Sequence, residues 1–593
     1  MARNKYNIDE VLETPFDIRH FKRSFKYIKR YAKKMIVALI LSVFAAVSGL
    51  LGPIITQHAL DKTIPEGDMW GLLFLVLLLV ITIVISVVFS NIRARIMTVV
   101  GQDIIFEIRN DLFKHLQELP FEYYDNRPHG KILIRVVNYV NSVSDMLSNG
   151  IVNIVLELIN MFFIMVFMFF VNVTLSFVVL AGVPIFAAVM MFIKRRQRRA
   201  WQQVSNKSSN LNAYLQESIT GTRIAQVFTR EEENAEIFDG LSNAYRGAWM
   251  KAVKYSNMVA PAVDNVSMLV RAAIYAVGLL IISPSGVTLG TIAAMTSYAA
   301  SFWQPIINLS NIFNNFINNI AYLERIFETL DEPVTIHDKE GAYELPEIKG
   351  DISFKNVTFS YEEGKTVLEN VSFDVKSGES IALVGPTGAG KSTIVSLLSR
   401  FYDLKDGRIT IDGHSISDVT LYSLRSQMGI MLQDSFIFSG TIFDNVRYGR
   451  LDADEDEIKA ACKTVCADEF IEHMPNGYMT EVNERGSMLS GGQKQLISFA
   501  RTLLSDPKIL ILDEATSSID AKTERLLQEG LFRLMKGRTS FIIAHRLSTI
   551  KNCDRIMFVD NKGIVECGTH NDLIKLKGEY YKLYTSQHEE ISV

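Results

Sequence analysis

Long uncharged stretches recur through the first half of this chain of 593 residues. Met35 to Thr56 and Leu72 to Phe89 contain no charged residue, and each is long enough to cross a bilayer as a helix. Leu158 to Ile193 is also uncharged but is too long for one span, so we predict a tight hairpin near Val171 to Thr174. The pattern therefore predicts several membrane-spanning helices.

The same pattern indicates where the remaining spans begin and end. With a hairpin near Val171, the third span must begin around Val152, which takes Glu157 into the membrane or to its edge. Ala272 to Leu323 is again uncharged, and Ser283-Pro284-Ser285-Gly286 divides this run into a fifth and a sixth span. We therefore predict an α-helical membrane domain over residues 35–328, with six transmembrane helices and long cytosolic extensions.

Lysine and arginine are distributed unevenly between the uncharged runs. They are frequent in residues 1–34, 91–149 and 194–257, whereas the short segments near 58–70, 172 and 283–287 contain only Lys62. The positive-inside rule then places both termini in the cytosol of a multi-pass protein, which we assign to the cell (plasma) membrane. Residues 1–34 are predicted as an amphipathic segment that lies on the inner leaflet.

Polar side chains also occur inside the predicted spans. The sixth span has a polar stripe at intervals of three and four residues, formed by Gln304, Asn308, Asn311, Asn315, Asn318 and Tyr322. Polar groups at membrane depth are costly unless they meet water, a ligand or one another. The stripe therefore either lines a substrate cavity or forms hydrogen bonds between helices. Asp264 and Arg271 in the fifth span, with Glu157 in the third, are the other candidate substrate residues.

The last part of the chain has the pattern of a soluble α/β domain, predicted over residues 346–593 after a linker at 329–345. Its P-loop is complete: Gly385-Pro386-Thr387-Gly388-Ala389-Gly390-Lys391-Ser392-Thr393. It follows an apolar strand and opens a helix, so backbone N–H groups and the helix N-terminus face the phosphates of a nucleotide. Lys391 is expected to bind the β- and γ-phosphates, and the Ser392 hydroxyl is expected to ligate Mg²⁺.

A second apolar strand ends in two carboxylates, in the sequence Ile509-Leu510-Ile511-Leu512-Asp513-Glu514. Asp513 is predicted to hold the same Mg²⁺, directly or through water. Glu514 is predicted to polarise the attacking water as a general base. Together with the P-loop, these carboxylates predict hydrolysis of ATP with Mg²⁺.

Further motifs in this domain resemble those of the ATP-binding-cassette (ABC) family. Leu489-Ser490-Gly491-Gly492-Gln493 matches the signature motif, which in the family contacts the nucleotide of a partner cassette. The resemblance implies four further roles: adenine stacking by Tyr361, Mg²⁺ contact by Gln433, contact with the partner cassette by Asp520, and γ-phosphate sensing by His545. The chain resembles ABC exporters of the half-transporter kind over nearly its whole length.

The resemblance to this family implies that two cassettes act together. Phe121-Glu122-Tyr123-Tyr124-Asp125 and the segment Glu217 to Arg223 resemble coupling helices that dock on cassettes, although both could equally be surface-packed loops. Glu514 and the signature are intact, so two copies could form two competent sites. However, Gln495 to Arg501 departs from the commoner pattern after the signature, and Asn483 replaces a usual glycine. A second half-transporter is therefore expected as partner, with a heterodimer slightly favoured over a homodimer.

The favoured function is ATP-driven export of hydrophobic or amphipathic small molecules, of the multidrug type, from the cytosol or the inner leaflet. The alternatives are a lipid or lipid-linked flippase, a siderophore importer on the exporter fold, and an ATP-gated sensor or regulator without flux. Membrane lipid is an expected partner. The net charge of −4 gives no electrostatic reason to expect nucleic acid.

Overall fold

The computed structural model describes residues 18–125, 127, 129–282, 287–362, 364–431, 435–513, 521–544 and 547–589. The chain divides into two compact units. The first, the membrane unit, contains Met1–Gln117 and His129–Glu332. The second, the cassette unit, contains Glu118–Pro128 and Pro333–Val593, so a short segment from the first half of the chain groups with the P-loop domain.

The membrane unit has helices and no strands in its described residues. Its α-helices, together with α5 of the cassette unit, are α1 Ile18–Lys29, α2 Ala32–Leu50, α3 Gly52–His58, α4 Met69–Glu118, α5 Phe121–Asp125, α6 His129–Ile134, α7 Val140–Asp145, α8 Ile151–Val171, α9 Val173–Thr220, α10 Thr222–Val227, α11 Glu231–Asn257, α12 Val259–Ala276 and α13 Leu289–Leu330. Short π-helical turns at Ala59–Thr63, Arg135–Tyr139, Met146–Gly150 and Val277–Ile282 continue neighbouring helices.

Five described helical stretches are long and apolar enough to cross a membrane, judged by length and composition alone. They are Ala32–Thr63, Met69–Glu118, Ile132–Val171, Val173–Thr220 and Glu231–Leu279. They agree with the first five predicted spans. Helix α13 is a sixth long helix but is not one of the five. The sixth span therefore remains a prediction.

The hairpin between the third and fourth spans lies where the sequence predicts it. Helix α8 ends at Val171, and Asn172 adopts an extended conformation before α9 begins. The Asn172 side chain accepts a hydrogen bond from the N–H of Leu175 at 3.0 Å, which caps the new helix. The linker predicted between the fifth and sixth spans, Ser283 to Gly286, lies outside the described residues.

The N-terminal helix α1 packs on protein. Its buried residues include Tyr27, whose hydroxyl donates to Asp111 on α4 at 3.0 Å. Arg23 donates to Asp331 at 2.7 Å, and its guanidinium lies 4.4 Å from the centre of the Phe327 ring. At least this face of the predicted amphipathic segment is therefore occupied by the membrane unit itself.

The cassette unit is built around a six-stranded, mostly parallel sheet with a smaller antiparallel sheet beside it. The strands are β1 Ile352–Ser360, β2 Thr366–Val375, β3 Ser380–Val384, β4 Asp406–Ile411, β5 His414–Ser415, β6 Met428–Met431, β7 Gly440–Thr441, β8 Glu481–Val482, β9 Ile509–Asp513, β10 Thr539–Ile543, β11 Arg555–Asp560 and β12 Gly563–Gly568. The large sheet has the order β12-β11-β3-β10-β9-β6, and the smaller one the order β2-β1-β4-β5. Strands β3 and β10 are completely buried, as expected of central parallel strands.

Helices cover the large sheet, which separates two hydrophobic cores. The α-helices of the cassette after α13 are α14 Lys391–Leu398, α15 Leu421–Arg425, α16 Ile442–Arg447, α17 Glu455–Thr464, α18 Asp468–Glu472, α19 Gly491–Leu504, α20 Ala521–Met535, α21 Leu547–Lys551, α22 His570–Leu576 and α23 Glu579–Glu589. One core lies under α16 to α20, and the other joins α14 to the antiparallel sheet. The predicted α/β P-loop fold is therefore confirmed.

Candidate nucleotide and substrate sites

The P-loop connects β3 to α14 through a backbone that only glycine can adopt at two points. Gly385 has a φ of +140°, and a Cβ atom there would lie 2.2 Å from the carbonyl oxygen of Val559. Gly390 has a φ of +106° and immediately precedes the first residue of α14. These glycines let the loop turn tightly and leave the N-terminus of α14 open to an anion.

Lys391 lies inside this loop. Its side chain is buried, and its Nζ donates to the carbonyl oxygens of Gly385 and Pro386, both at 2.8 Å. Burial lowers the pKa of Lys391, and the negative charge of Asp513 partly offsets this effect. Two backbone oxygens therefore hold the ammonium group inside the loop that is predicted to bind phosphate. This arrangement fits a nucleotide-binding loop.

Asp513 lies at the carboxyl end of β9, in line with the P-loop strand. Across the parallel strands, Leu383 of β3 pairs with Ile543 of β10, which pairs with Asp513. The P-loop begins two residues after Leu383. The P-loop and the Asp513 carboxylate therefore lie at the same edge of the sheet. An aligned carboxylate and the exposed Ser392 at the start of α14 are oxygen donors of the kind that Mg²⁺ takes in nucleotide sites.

Four predicted site residues lie outside the described part of the chain. They are Gln433, Glu514, Asp520 and His545. Strand β9 ends at Asp513, the residue before Glu514, and strand β10 ends at Ile543, two residues before His545. The roles of these four side chains therefore remain predictions.

The aromatic residue predicted to stack on adenine lies next to the P-loop helix. The Tyr361 hydroxyl and Thr393 Oγ1 are 3.1 Å apart, within hydrogen-bond distance. Its ring is 43% exposed and is flanked by Phe359 and Tyr402, with ring centroids 4.9 and 5.0 Å away. The flanking rings meet Tyr361 at nearly right angles, which leaves exposed ring surface for a base to stack on.

The signature motif forms the N-terminus of α19. Ser490 accepts a hydrogen bond from the N–H of Gln493 at 3.2 Å, and the Gln493 side chain accepts from the N–H of Ser490 at 2.9 Å. This reciprocal capping box fixes the helix start. Ser490 and Gly491 are exposed, while Gly492 is buried. The exposed end of a 14-residue helix can receive an anion from outside this cassette.

The two departures from the family pattern have structural explanations. Leu496, the apolar residue in the segment after the signature, is buried in the core below α19. Asn483 has a φ of −74°, a conformation that does not require glycine. Both residues suit their positions in this fold.

The first predicted coupling helix is α5, and it contacts the cassette directly within the same compact unit. The Phe121 ring lies 4.4 Å from that of Phe401, and the Tyr402 hydroxyl donates to Asp125 at 2.7 Å. Tyr402 belongs to none of the motifs that predict the nucleotide site. The adjacent aromatic pair Phe401-Tyr402, just beyond the P-loop helix, is the pattern that could have indicated it.

The second predicted coupling segment forms the tip of a helical hairpin. Helix α9 ends at Thr220, and α10 follows the turn at Gly221. Several large apolar side chains at this tip are strongly exposed: Ile219, Ile224, Val227 and Phe228. A cluster of this kind is typical of a surface that docks on another protein.

The candidate substrate residues of the membrane unit are partly joined to one another. Asn308 donates to Glu157 on α8 at 2.7 Å, and Gln304 donates to Asn308 at 2.9 Å. Lys194 on α9 donates to Asn311 at 2.9 Å. The polar stripe of α13 therefore does form hydrogen bonds between helices, whereas Asn315 is exposed.

Asp264 and Arg271 lie on an exposed face of α12. They are seven residues apart, which corresponds to about 10 Å along a helix, and they form no ion pair with each other or with any other described residue. Charged side chains on a membrane-spanning helix are costly unless they face water, protein or ligand. This face of α12 is therefore unsuited to lipid.

Comparisons with known proteins agree with these features. The family model described as the ABC transporter transmembrane region matches residues 35–306, and the family model described as ABC transporter matches residues 368–517. The uncharacterized ABC transporter ATP-binding protein YknV of Bacillus subtilis is 40% identical over 99% of this chain and 98% of its own length. A fatty acid ABC transporter ATP-binding/permease protein of Mycobacterium tuberculosis is 37% identical over 83% of this chain and 78% of its own.

A further relative and a solved structure extend the comparison. The putative multidrug export ATP-binding/permease protein YgaD of Bacillus subtilis is 34% identical over 95% of this chain and 99% of its own length. The structure of a bacterial Atm1-family ABC exporter with ATP bound superposes with a TM-score of 0.77 at 29% identity, covering 94% of this chain and 98% of that one. Half-transporters of this family act as dimers. The chain belongs to the ABC transporters, as a multi-pass exporter half-transporter that couples ATP hydrolysis to transport across a membrane.

Proposed function

We propose that this half-transporter exports hydrophobic or amphipathic compounds, of the multidrug type, from the cytosol or the inner leaflet of the cell membrane. The observation that supports the proposal is the exposed pair Asp264 and Arg271 on the mostly apolar helix α12. A ligand with apolar and polar parts can contact such a face, with Met268 between the two charges. Glu157, Gln304, Asn308, Asn311 and Asn315 are proposed as further substrate contacts.

Export of a lipid is the second candidate function. It is favoured by the names of relatives, which include the mycobacterial fatty acid transporter and an ATP-dependent lipid A-core flippase of Syntrophus aciditrophicus that is 33% identical over 97% of this chain. A fatty acid or phospholipid is itself amphipathic, so the same charged face of α12 could receive its headgroup. The two candidate functions therefore differ in the transported ligand and share the same ATP-hydrolysing site.

Each group of the nucleotide site has a proposed role in ATP binding or hydrolysis. Lys391, the P-loop N–H groups and the start of α14 bind the phosphates, and Tyr361 stacks on adenine. Ser392, Gln433 and Asp513 would hold Mg²⁺, which when bound would neutralise negative charge on the phosphates. Glu514 takes a proton from the attacking water, and His545 senses the γ-phosphate.

In the proposed dimer, each subunit completes the nucleotide site of the other. The exposed Ser490 and Gly491, with Asp520, contact the nucleotide bound by the partner, and the apolar tip of α9 and α10 docks on the partner cassette. Both termini and the cassette lie in the cytosol. The partner is another half-transporter, and a non-identical one is slightly favoured because of the departures after the signature.

The test is ATP hydrolysis and flux by the purified chain in lipid. Inside-out vesicles, in which the cassettes face the outer solution, receive ATP and Mg²⁺ on the outside, and the uptake of a fluorescent cationic drug is compared with that of a fluorescent fatty acid. Drug uptake that Glu514→Gln abolishes supports the first candidate, and fatty-acid uptake alone supports the second. Folded protein that is active only after addition of another half-transporter establishes the heterodimer. Uptake in the opposite orientation, or nucleotide-dependent conformational change without flux of either probe, overturns export.

A further inference from the structure

We propose that Tyr402 is a positioning residue that links the coupling helix α5 to the adenine-stacking side chain Tyr361. The proposal rests on the assignment of Tyr361 in the proposed nucleotide site. In this proposal Tyr402 has two separate tasks. Its ring holds Tyr361 in place, and its hydroxyl couples the nucleotide site to α5.

The first link joins α5 to Tyr402. The Tyr402 hydroxyl donates to the Asp125 carboxylate at 2.7 Å, and the neighbouring Phe401 ring contacts Phe121 at the other end of α5. Burial, followed by the hydrogen bond and the charge of Asp125, raises the pKa of Tyr402 well above its ordinary value. The hydroxyl therefore keeps its proton at any physiological pH and remains a donor to a charged acceptor, which is the stronger class of hydrogen bond.

The second link joins Tyr402 to Tyr361. The two rings have centroids 5.0 Å apart and an interplanar angle of 85°, and Phe359 meets Tyr361 in the same way at 4.9 Å and 89°. Edge-to-face packing of this kind is favourable and directional. Two ring contacts and the hydrogen bond to Thr393 together restrict how the Tyr361 ring can turn.

The third link reaches the P-loop helix. Thr393 is buried, lies two residues after Lys391 and is within hydrogen-bond distance of Tyr361. A continuous series of side-chain contacts therefore runs from Asp125 through Tyr402 and Tyr361 to Thr393. Because coupling between two sites is reciprocal, a base that fixes Tyr361 also favours the Tyr402 orientation that bonds Asp125.

The alternative is that these aromatic residues only fill space. Contact between side chains does not by itself demonstrate coupling, so the two tasks of Tyr402 must be separated experimentally. Tyr402→Phe removes the hydroxyl and keeps the ring, whereas Tyr402→Ala removes both. Asp125→Ala removes the acceptor from the other side and should reproduce the effect of Tyr402→Phe.

The experiment uses the full-length chain in lipid nanodiscs with Mg²⁺ and the non-hydrolysable analogue AMP-PNP. Two quantities are measured: the Kd of the nucleotide, and the hydrogen–deuterium exchange of residues 118–128 with and without saturating nucleotide. In the wild type we expect nucleotide to slow exchange in this segment. Tyr422→Phe, which alters an 83% exposed tyrosine of the same unit, is the control and should match the wild type.

We expect Tyr402→Phe to bind nucleotide within about two-fold of the wild type but to lose the protection of residues 118–128, since only the hydrogen bond is removed. Tyr402→Ala should also raise the Kd by about five-fold, because Tyr361 loses an aromatic contact. The double variant Tyr402→Phe with Asp125→Ala should lose no more protection than either single variant.

Two results would overturn the proposal, and they are distinguishable. If Tyr361→Ala leaves the Kd unchanged, the adenine site itself is wrong and the proposal fails with it. If Tyr361→Ala raises the Kd but Tyr402→Phe keeps full nucleotide-dependent protection at 118–128, the nucleotide site stands and only the role of Tyr402 is refuted. If nucleotide does not protect residues 118–128 in the wild type, the role of Tyr402 is likewise refuted.

Discussion

The P-loop of the cassette and the polar stripe of α13 both place polar groups in apolar surroundings, but they satisfy these groups differently. In the P-loop, Lys391 donates to carbonyl oxygens five and six residues away in the chain. In the membrane unit, Asn308 donates to Glu157, which lies 151 residues earlier. A local partner follows from a short motif, whereas a distant one depends on how helices pack. The contacts of Lys391 can therefore be predicted from a motif, whereas the contact between Asn308 and Glu157 can be found only from the fold.

The sharpest test of the local region is Glu514→Gln. If this residue is the general base, the change should slow ATP turnover by about 100-fold or more and leave ATP binding intact. Phosphate release and nucleotide affinity are measured on the same preparation. Glu347→Gln, at an exposed glutamate whose side chain pairs with Lys508, serves as the control and should have no effect. Wild-type turnover in Glu514→Gln would refute its assignment as the base.

The backbone of the P-loop can be tested separately from its chemistry by Gly385→Ala. The strained φ and the contact with Val559 should lower the stability of the cassette by about 2 kcal/mol. For a domain of this size, this corresponds to a fall of roughly 4–8 °C in Tm. The matched control is Gly563→Ala, where an added Cβ would meet no atom within 4 Å. Equal melting temperatures for the two variants would show that the loop does not need glycine at position 385.

In the membrane unit, a comparison of Asn308→Leu with Asn315→Leu separates the two interpretations of the stripe. Asn308→Leu removes the hydrogen bond to Glu157 and should cost about 1 kcal/mol of stability, as measured by thermal unfolding in lipid. Asn315→Leu changes an exposed side chain and should leave stability unchanged while altering the affinity for a transported compound. The opposite result would show that Asn308 acts only as a substrate contact and that Asn315 stabilises the helix packing.

The smallest expected effect is a dependence of cassette stability on pH. Burial, followed by the charge of Lys551, lowers the pKa of His570, which lies 2.7 Å from the Tyr580 hydroxyl. The folded state therefore binds fewer protons than the unfolded state, and stability should fall as the pH drops below the ordinary histidine pKa of about 6.5. His570→Gln should flatten this slope in thermal unfolding between about pH 7.5 and 5. An unchanged slope would assign the acid sensitivity to another group.

Much of the fold and of the nucleotide site follows from the sequence because the relevant interactions are local. Run length and charge located the first five spans, and the glycines and Lys391 located the P-loop. The hairpin at Asn172 was predictable because a capping amide and a chain reversal are encoded within a few residues.

Other features could not be predicted because they depend on distant residues. The amides of α13 were compatible with a cavity or with hydrogen bonds, and only the packing of α8 and α9 against α13 reveals Glu157 and Lys194 as partners. Tyr402 belongs to no nucleotide motif, so its position between Asp125 and Tyr361 emerges only when α5 is placed against the cassette. The N-terminal helix has the composition of a membrane-surface segment, yet its Tyr27 is buried against α4.

Helix α4 has a mechanical consequence. It runs for 50 residues without a break, from Met69 to Glu118, and so is about 75 Å long. A rigid rod of this length acts as a lever: a tilt of about 10° at one end displaces the other by roughly 13 Å. Small rearrangements at one end of this rod can therefore become large excursions at the other, without any change in the hydrogen bonds along it.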